Sequence, residues 1–170
     1  MADVDRAKLQ RVVDEFHAKT ASPRDIVFAD VDVLAPCALG NVLTSATIPK
    51  LRAKVIAGAA NNQLATEDDG VRLTEHGILY APDYVINAGG IINVAHEYLG
   101  NGDDDEVRAD VEKIPQRLES IFATAEASGK PTNIVANELA RRLVNEKRRN
   151  YEQEITTAHT APVSEAGRQA

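Results

Sequence analysis

The residues with most to offer chemically lie in three short turns of small side chains. In Gly58-Ala59-Ala60-Asn61-Asn62, two adjacent carboxamides follow an apolar run. Each carries a donor and an acceptor, so the pair can match a ligand that presents both. The small residues ahead of them would let a flat ring lie against the backbone. Asparagines here could equally do no more than shape the turn. In Asn87-Ala88-Gly89-Gly90, a strand-like run meets the start of a helix. Free N–H groups and the helix dipole attract anions at such a junction, and Asn87 can hydrogen-bond a carboxylate or an amine. A glycine-permitted turn with a capping Asn is the plainer alternative. Ala35-Pro36-Cys37-Ala38 ends a third apolar run, at the position where open α/β sheets hold their ligands. Its small residues permit close approach, and Pro36 fixes the turn.

Other reactive residues offer less. Cys37 has no His or other base beside it in sequence, so by itself it reads as a small buried hydrophobe rather than a nucleophile. Asp3 stands just ahead of a helical stretch that it could cap. His17, His76, His96 and His159 lack ligand spacing, and His96-Glu97 is expected on an exposed helix face. The run Asp103-Asp104-Asp105-Glu106 is contiguous, whereas a calcium loop alternates its acids around a glycine. It suits the positive end of a helix dipole. No metal site is expected.

These turns need elements to hold them. Apolar runs at 31–35, 54–58, 77–81 and 84–86 suit strands buried on both faces of a parallel sheet. Short helices are expected at 45–51 and 66–76, the latter capped by Thr66 with acids in its first turn. The stretch 5–18 carries Leu9, Val12, Val13 and Phe16 at helical spacing, and Ser22-Pro23 reads as another helix start. Across 103–128, Val107, Val111, Ile114, Leu118, Ile121 and Phe122 share a face that Pro115 should interrupt. A last helix is expected over 132–149, capped by Thr132, with Ile134, Val135, Leu139 and Leu143 inward. Residues 150–170 read as a frayed tail. The alternation defines an α/β class: a partial Rossmann arrangement, parallel sheet with flanking helices, followed by C-terminal helices.

Composition narrows the partners. The chain has 170 residues, 26 acidic against 19 basic, for a formal charge of −7, which argues against general nucleic-acid binding. No apolar run approaches a membrane span, so no membrane partner is expected. A single cysteine excludes an internal disulfide and fits a reducing cytoplasm. The sequence has no Gly-x-Gly-x-x-Gly fingerprint, and Met1-Ala2-Asp3 runs straight into a helix. It reads as beginning just after the phosphate-binding half of a dinucleotide unit.

Three segments, 35–40, 58–64 and 80–90, in this order and spacing resemble the cofactor-binding domain of the leucine, valine and phenylalanine dehydrogenases. These belong to the glutamate dehydrogenase-like amino-acid dehydrogenases, and the resemblance covers about residues 3–143. It implies an NAD-binding domain over 1–149 and oxidative deamination of an L-amino acid to its 2-oxo acid and ammonia. Asp3 matches the acid that receives the adenosine ribose hydroxyls and favours NAD over NADP. Pro36, Cys37 and Ala38 would run alongside the ribose and nicotinamide; Ala60 and Asn61 would contact the cofactor. Asn87 would reach both cofactor and substrate, with Val85, Ile86, Ile91 and Val94 as an apolar wall for the substrate side chain. The lysine pair and aspartate that do the family's acid–base work belong to an N-terminal domain absent from this sequence, so no catalytic residue is assigned and no turnover is expected of this chain alone. The resemblance also implies a homo-oligomer. The alternative is a noncatalytic fragment that pairs with a partner chain or with the missing half.

Overall fold

The computed structural model describes residues 1–100 and 103–160, with side chains through residue 153. The chain divides into two units, residues 1–136 and 137–170.

The first unit is built on three parallel strands, β1 (Val33–Leu34), β2 (Val55–Ile56) and β3 (Leu79–Tyr80), in the order β1-β2-β3. Register aligns Val33, Val55 and Leu79 across the sheet, and Leu34, Ile56 and Tyr80 beside them. Only the second row is fully buried. Val33 is 53% exposed and Leu79 40%, while Ile56 is sealed. The expectation of strands buried on both faces is therefore corrected. Leu43, Ile48 and Leu73 pack with Leu34, Ile56 and Tyr80 into one core on the inner face. The outer face has no such layer among the described residues, and alternation of side chains along a strand leaves its apolar residues open.

Seven helices accompany the sheet among the described residues: α1 (Arg6–Phe16), α2 (Asp68–Glu75), α3 (Asp83–Ile86), α4 (Gly89–Leu99), α5 (Asp104–Val111), α6 (Ile114–Ser128) and α7 (Thr132–Thr160). The run at 84–86 is thus helical, not a strand. Pro82 sets the entry, Asp83 stands in the first turn, and the Val85 and Ile86 N–H groups donate to the Pro82 carbonyl. Those local bonds outweigh the β preference of Tyr-Val-Ile. The stretch 45–51 forms only a short 3₁₀ turn, Ile48–Lys50, because the Thr47 hydroxyl donates to the Val42 carbonyl and accepts from the Thr44 N–H. Ser22 likewise caps a turn leading to a 3₁₀ segment, Ile26–Phe28.

Caps explain the remaining boundaries. Asp5, rather than Asp3, caps α1 by accepting from the Ala7 and Lys8 N–H groups. Along α1, Leu9, Val12 and Val13 are half-buried, but Phe16 is 67% exposed. The expected cap of α2 by Thr66 is corrected: Glu67 stands at the N-cap without a side-chain cap bond, and the Thr66 N–H and hydroxyl both donate to Asp69 Oδ2. Asp103 caps α5 through the Glu106 N–H, which gives the acidic run its structural use. Pro115 falls in the first turn of α6, so the expected interruption separates α5 from α6, and the six apolar residues of that stripe are all at least half-buried.

Thr132 does not cap α7: its hydroxyl donates to the Tyr80 carbonyl at 2.7 Å, and Pro131 accepts the first helical bond. This ties the start of α7 to the end of β3. Val135 and Ala136 are buried there. Among the described residues, the second unit is the rest of α7. It continues past Arg149 to Thr160, and Leu143, expected inward, is 45% exposed. Arg148 and Glu152 pair one turn apart across the expected boundary at 149, the spacing that supports a solvated helix. Residues 161–170 of the expected tail lie outside the described residues. No described helix is long and apolar enough to cross a membrane.

Candidate functional site

The three turns meet at the C-terminal end of the sheet. The chain leaving β1 passes through Pro36, whose carbonyl accepts the Ala60 N–H at 2.9 Å. Gly58 lies so close that a Cβ there would stand 2.1 Å from the Pro36 oxygen. Gly40 is pressed in the same way, 2.6 Å from the Asn61 oxygen by the same measure. The Asn41 N–H donates to the Asn62 carbonyl, and Leu43 and Leu64 form a parallel bridge beyond. The turns after β1 and β2 are therefore laced together by backbone. Only glycine fits where they touch.

Gln63 braces the second turn from inside. It is fully buried, and its amide donates to the Gly58 carbonyl at 2.7 Å and the Ala60 carbonyl at 3.0 Å. Its own oxygen has no partner among the described residues. Asn62 adopts the left-handed conformation, φ 55°, which asparagine tolerates, and its N–H donates to Asp83 Oδ2. Tyr80 donates its hydroxyl to the other Asp83 oxygen at 2.9 Å. Burial, then the neighbouring Asp83 charge, pushes the Tyr80 hydroxyl well above its ordinary pKa. The same two causes, in that order, with Glu67 after them, push Tyr84 up to about 12. Both phenols stay protonated at neutral pH.

The third turn completes the arrangement. Asn87 ends α3, and its Nδ2 donates to Asn61 Oδ1 at 2.6 Å and to the Ala59 carbonyl at 3.2 Å. Two carboxamides widely separated in sequence are thereby joined side by side at the exposed rim. The Asn61 amide nitrogen and the Asn87 amide oxygen keep no other partner among the described residues. The pair can thus offer one donor and one acceptor outward.

Of the residues expected at the site, Pro36, Ala60, Asn61 and Asn87 are brought together. Cys37 and Ala38 continue the Pro36 turn and are exposed, which corrects the reading of Cys37 as a packed hydrophobe. The turn lies beyond the sheet, so its side chains have no core to enter. Asp3 is half-buried outside any strand, and its carboxylate accepts the Asp5 N–H. None of the hydrogen bonds described for it reaches the other turns. Of the expected apolar wall, Val85 is buried in the core, Ile86 is half-buried, and Ile91 and Val94 stand exposed along α4. His96 is not on an open face: it is half-buried, with Nε2 2.9 Å from Asp110. Among the described residues, no three His, Cys, Asp or Glu side chains cluster to hold a metal. Sequence reasoning passed over Gln63 and Asp83. The signal available was a polar residue inside an apolar stretch and an acid directly after proline.

A parallel sheet with glycine-tight turns and paired carboxamides at its strand ends places the molecule among the α/β dehydrogenase-type domains. The chain belongs to the glutamate/leucine/phenylalanine/valine dehydrogenase family, whose profile matches residues 2–158. It is 41% identical over 160 residues to a leucine dehydrogenase of Bacillus subtilis, covering 94% of this chain and 44% of that protein. An L-tryptophan dehydrogenase of Nostoc punctiforme is 45% identical over 156 residues, covering 91% of this chain and 44% of its own. A crystal structure of L-tryptophan dehydrogenase from the same organism superposes with a TM-score of 0.81 at 46% identity, over 87% of this chain and 44% of that one. A hetero-hexameric glutamate dehydrogenase of Thermus thermophilus shares the fold, TM-score 0.61 at 20% identity, over 84% of this chain and 36% of that one. The chain spans less than half the length of these relatives.

Proposed function

We propose that this chain forms the nicotinamide-side part of an NAD-dependent L-amino-acid dehydrogenase for branched-chain or aromatic substrates. The observation that carries this reading is the Asn87–Asn61 bond at the end of a parallel sheet, with the turns beneath it packed too tightly for any side chain. The residues present fit the cofactor. The outward donor of Asn61 and acceptor of Asn87 match a carboxamide, which carries one of each. Pro36, Cys37, Ala38 and Ala60 would flank it with small surfaces, and Asp3 would take the ribose hydroxyls. NAD, when bound, supplies the hydride acceptor. The chain's own contribution is orientation: carboxamides do not titrate near neutral pH, and the two raised phenols hold their protons. Exposed Ile91 and Val94 would line the substrate side chain, a wall suited to leucine, valine or an aromatic ring. A charged side chain there would lose hydration without gaining a partner.

Calorimetric titration of the chain with NAD tests this directly. Saturable binding is expected, with weaker binding of NADP. Asn87→Ala and Asn61→Ala should each weaken it about tenfold, the cost of a lost hydrogen bond near 1.4 kcal/mol. No binding, or binding indifferent to both substitutions, would refute the reading.

A second reading, a homo-oligomer or a complex with a partner chain in the cytoplasm, draws on β1. That strand has one sheet neighbour among the described residues, and Val33 on it and Val31 just before it are exposed. The hexameric state stated for the Thermus relative supports the same expectation.

A further inference from the structure

Asp83 bonds to both halves of the amide pair's support, through its side chain to the turn after β2 and through its main chain to the end of α3. It is 8% exposed. Its Oδ2 accepts the Asn62 N–H, next to Asn61; its Oδ1 accepts the Tyr80 hydroxyl at 2.9 Å. Its main-chain carbonyl accepts the Asn87 N–H at 2.9 Å, and its own N–H donates to Tyr80 Oη at 3.3 Å. Neither carboxylate oxygen meets a cation among the described residues. A buried carboxylate without a counter-ion is costly, and one satisfied only by neutral donors persists where those donors are worth fixing.

The chemistry of the two donors explains the residue type. An N–H and an O–H converge on separate oxygens of one short side chain, and a carboxylate accepts at both. Alanine would leave both donors unanswered. Asparagine could keep the Asn62 bond through its oxygen while turning its amide toward Tyr80 Oη. The left-handed conformation of Asn62 makes the bond consequential, because a residue with φ 55° holds its place only when its surroundings fix it.

We propose that Asp83 is the positioning residue of the Asn61–Asn87 pair, holding the turn after β2 in register with the end of α3. This rests on the proposed role of that pair in binding the nicotinamide cofactor. The Asp83 carboxylate acts through the Asn62 N–H and the Tyr80 hydroxyl, while its main chain, common to every variant, carries the bond to Asn87.

The test uses the full chain, ¹⁵N-labelled, with Asp83→Ala, Asp83→Asn and Tyr80→Phe. Two resonances report the geometry: the Asn62 backbone N–H and the Asn87 side-chain NH₂. In Asp83→Ala the Asn62 N–H should exchange about ten- to a hundredfold faster, the range expected when a hydrogen bond to a charged group is lost. The Asn87 NH₂ should move to the position of a free amide. Asp83→Asn should restore much of both, and Tyr80→Phe, which removes one donor but keeps the carboxylate, should disturb them least. Should Asp83→Ala fail to fold, the order of the other two variants still decides. Unchanged Asn62 and Asn87 signals in a folded Asp83→Ala, or an Asp83→Asn variant less perturbed than Tyr80→Phe, would overturn the proposal. NAD titration into the same samples separates the two readings: coupled resonances without NAD binding would leave Asp83 as the link and refute the cofactor reading alone.

Discussion

Residue by residue, the site was legible where a side chain's type suffices and illegible where its partner is a distant backbone group. Asn61 and Asn87 stand out in the sequence because carboxamides after apolar runs are unusual, and the structure joins them. Gln63 and Asp83 spend their hydrogen bonds on carbonyls and N–H groups of other turns, which no spacing rule exposes. Cys37 departs from expectation for a related reason: small thiols are usually buried, but this one follows a strand end where no core remains. Gly58 shows how much the close contact matters. A Cβ there would sit 2.1 Å from the Pro36 oxygen and 2.6 Å from its Cδ, so the two turns would have to part. Gly58→Ala should destabilise the fold by about 1–3 kcal/mol, the usual range for overpacking, and impair NAD binding with it. Urea denaturation checks the first and titration the second. An alanine variant of full stability would show that the turns do not meet this closely.

At the scale of elements, the helices were read better than the sheet. The stripe from Val107 to Phe122 and its interruption at Pro115 follow from period and from proline's missing N–H, both local properties. Strand burial is not local. The runs at 31–35 and 77–81 are mostly apolar, yet one face of the sheet is packed and the other open, because what covers a face is decided elsewhere in the chain. The link between α4 and α5 was hidden too: Asp110 stands 2.9 Å from His96 Nε2 and 2.6 Å from Lys113 Nζ. The hydrogen bond from Lys113, then that from His96, holds its carboxyl below the ordinary value of 3.8. A folded-state pKa lower than the unfolded one stabilises the native chain above the unfolded value, and the contribution fades as pH falls through the folded value. Thermal melts between neutral pH and strong acid should therefore show an acid-side loss that Asp110→Asn reduces, leaving neutral-pH NAD binding in place. An identical acid limb in the variant would show that the clasp contributes nothing measurable.

For the molecule as a whole, the open sheet face and the free edge of β1 point the same way. Val33, Val55 and Leu79 stand in register across the outer face, so their exposed surface is one continuous apolar row rather than scattered spots. Among the described residues, the β1 strand also has one side without a sheet neighbour. Contiguous apolar surface is driven out of water in proportion to its area, and strand edges add unpaired N–H and C=O groups that another strand can satisfy. The charge of −7 opposes association of identical copies, but that repulsion is screened over about 10 Å at 0.1 M salt, while apolar contact is not. Under the oligomer reading, sedimentation velocity should therefore show concentration-dependent association that strengthens as salt is raised. The double variant Val33→Thr with Leu79→Thr should shift the chain toward the 18.4 kDa monomer without disturbing the amide pair, since neither residue belongs to the buried row that leads to it. A monomer at all concentrations and salts would remove the homo-oligomer reading. Association that the double variant leaves intact would move the contact away from this face.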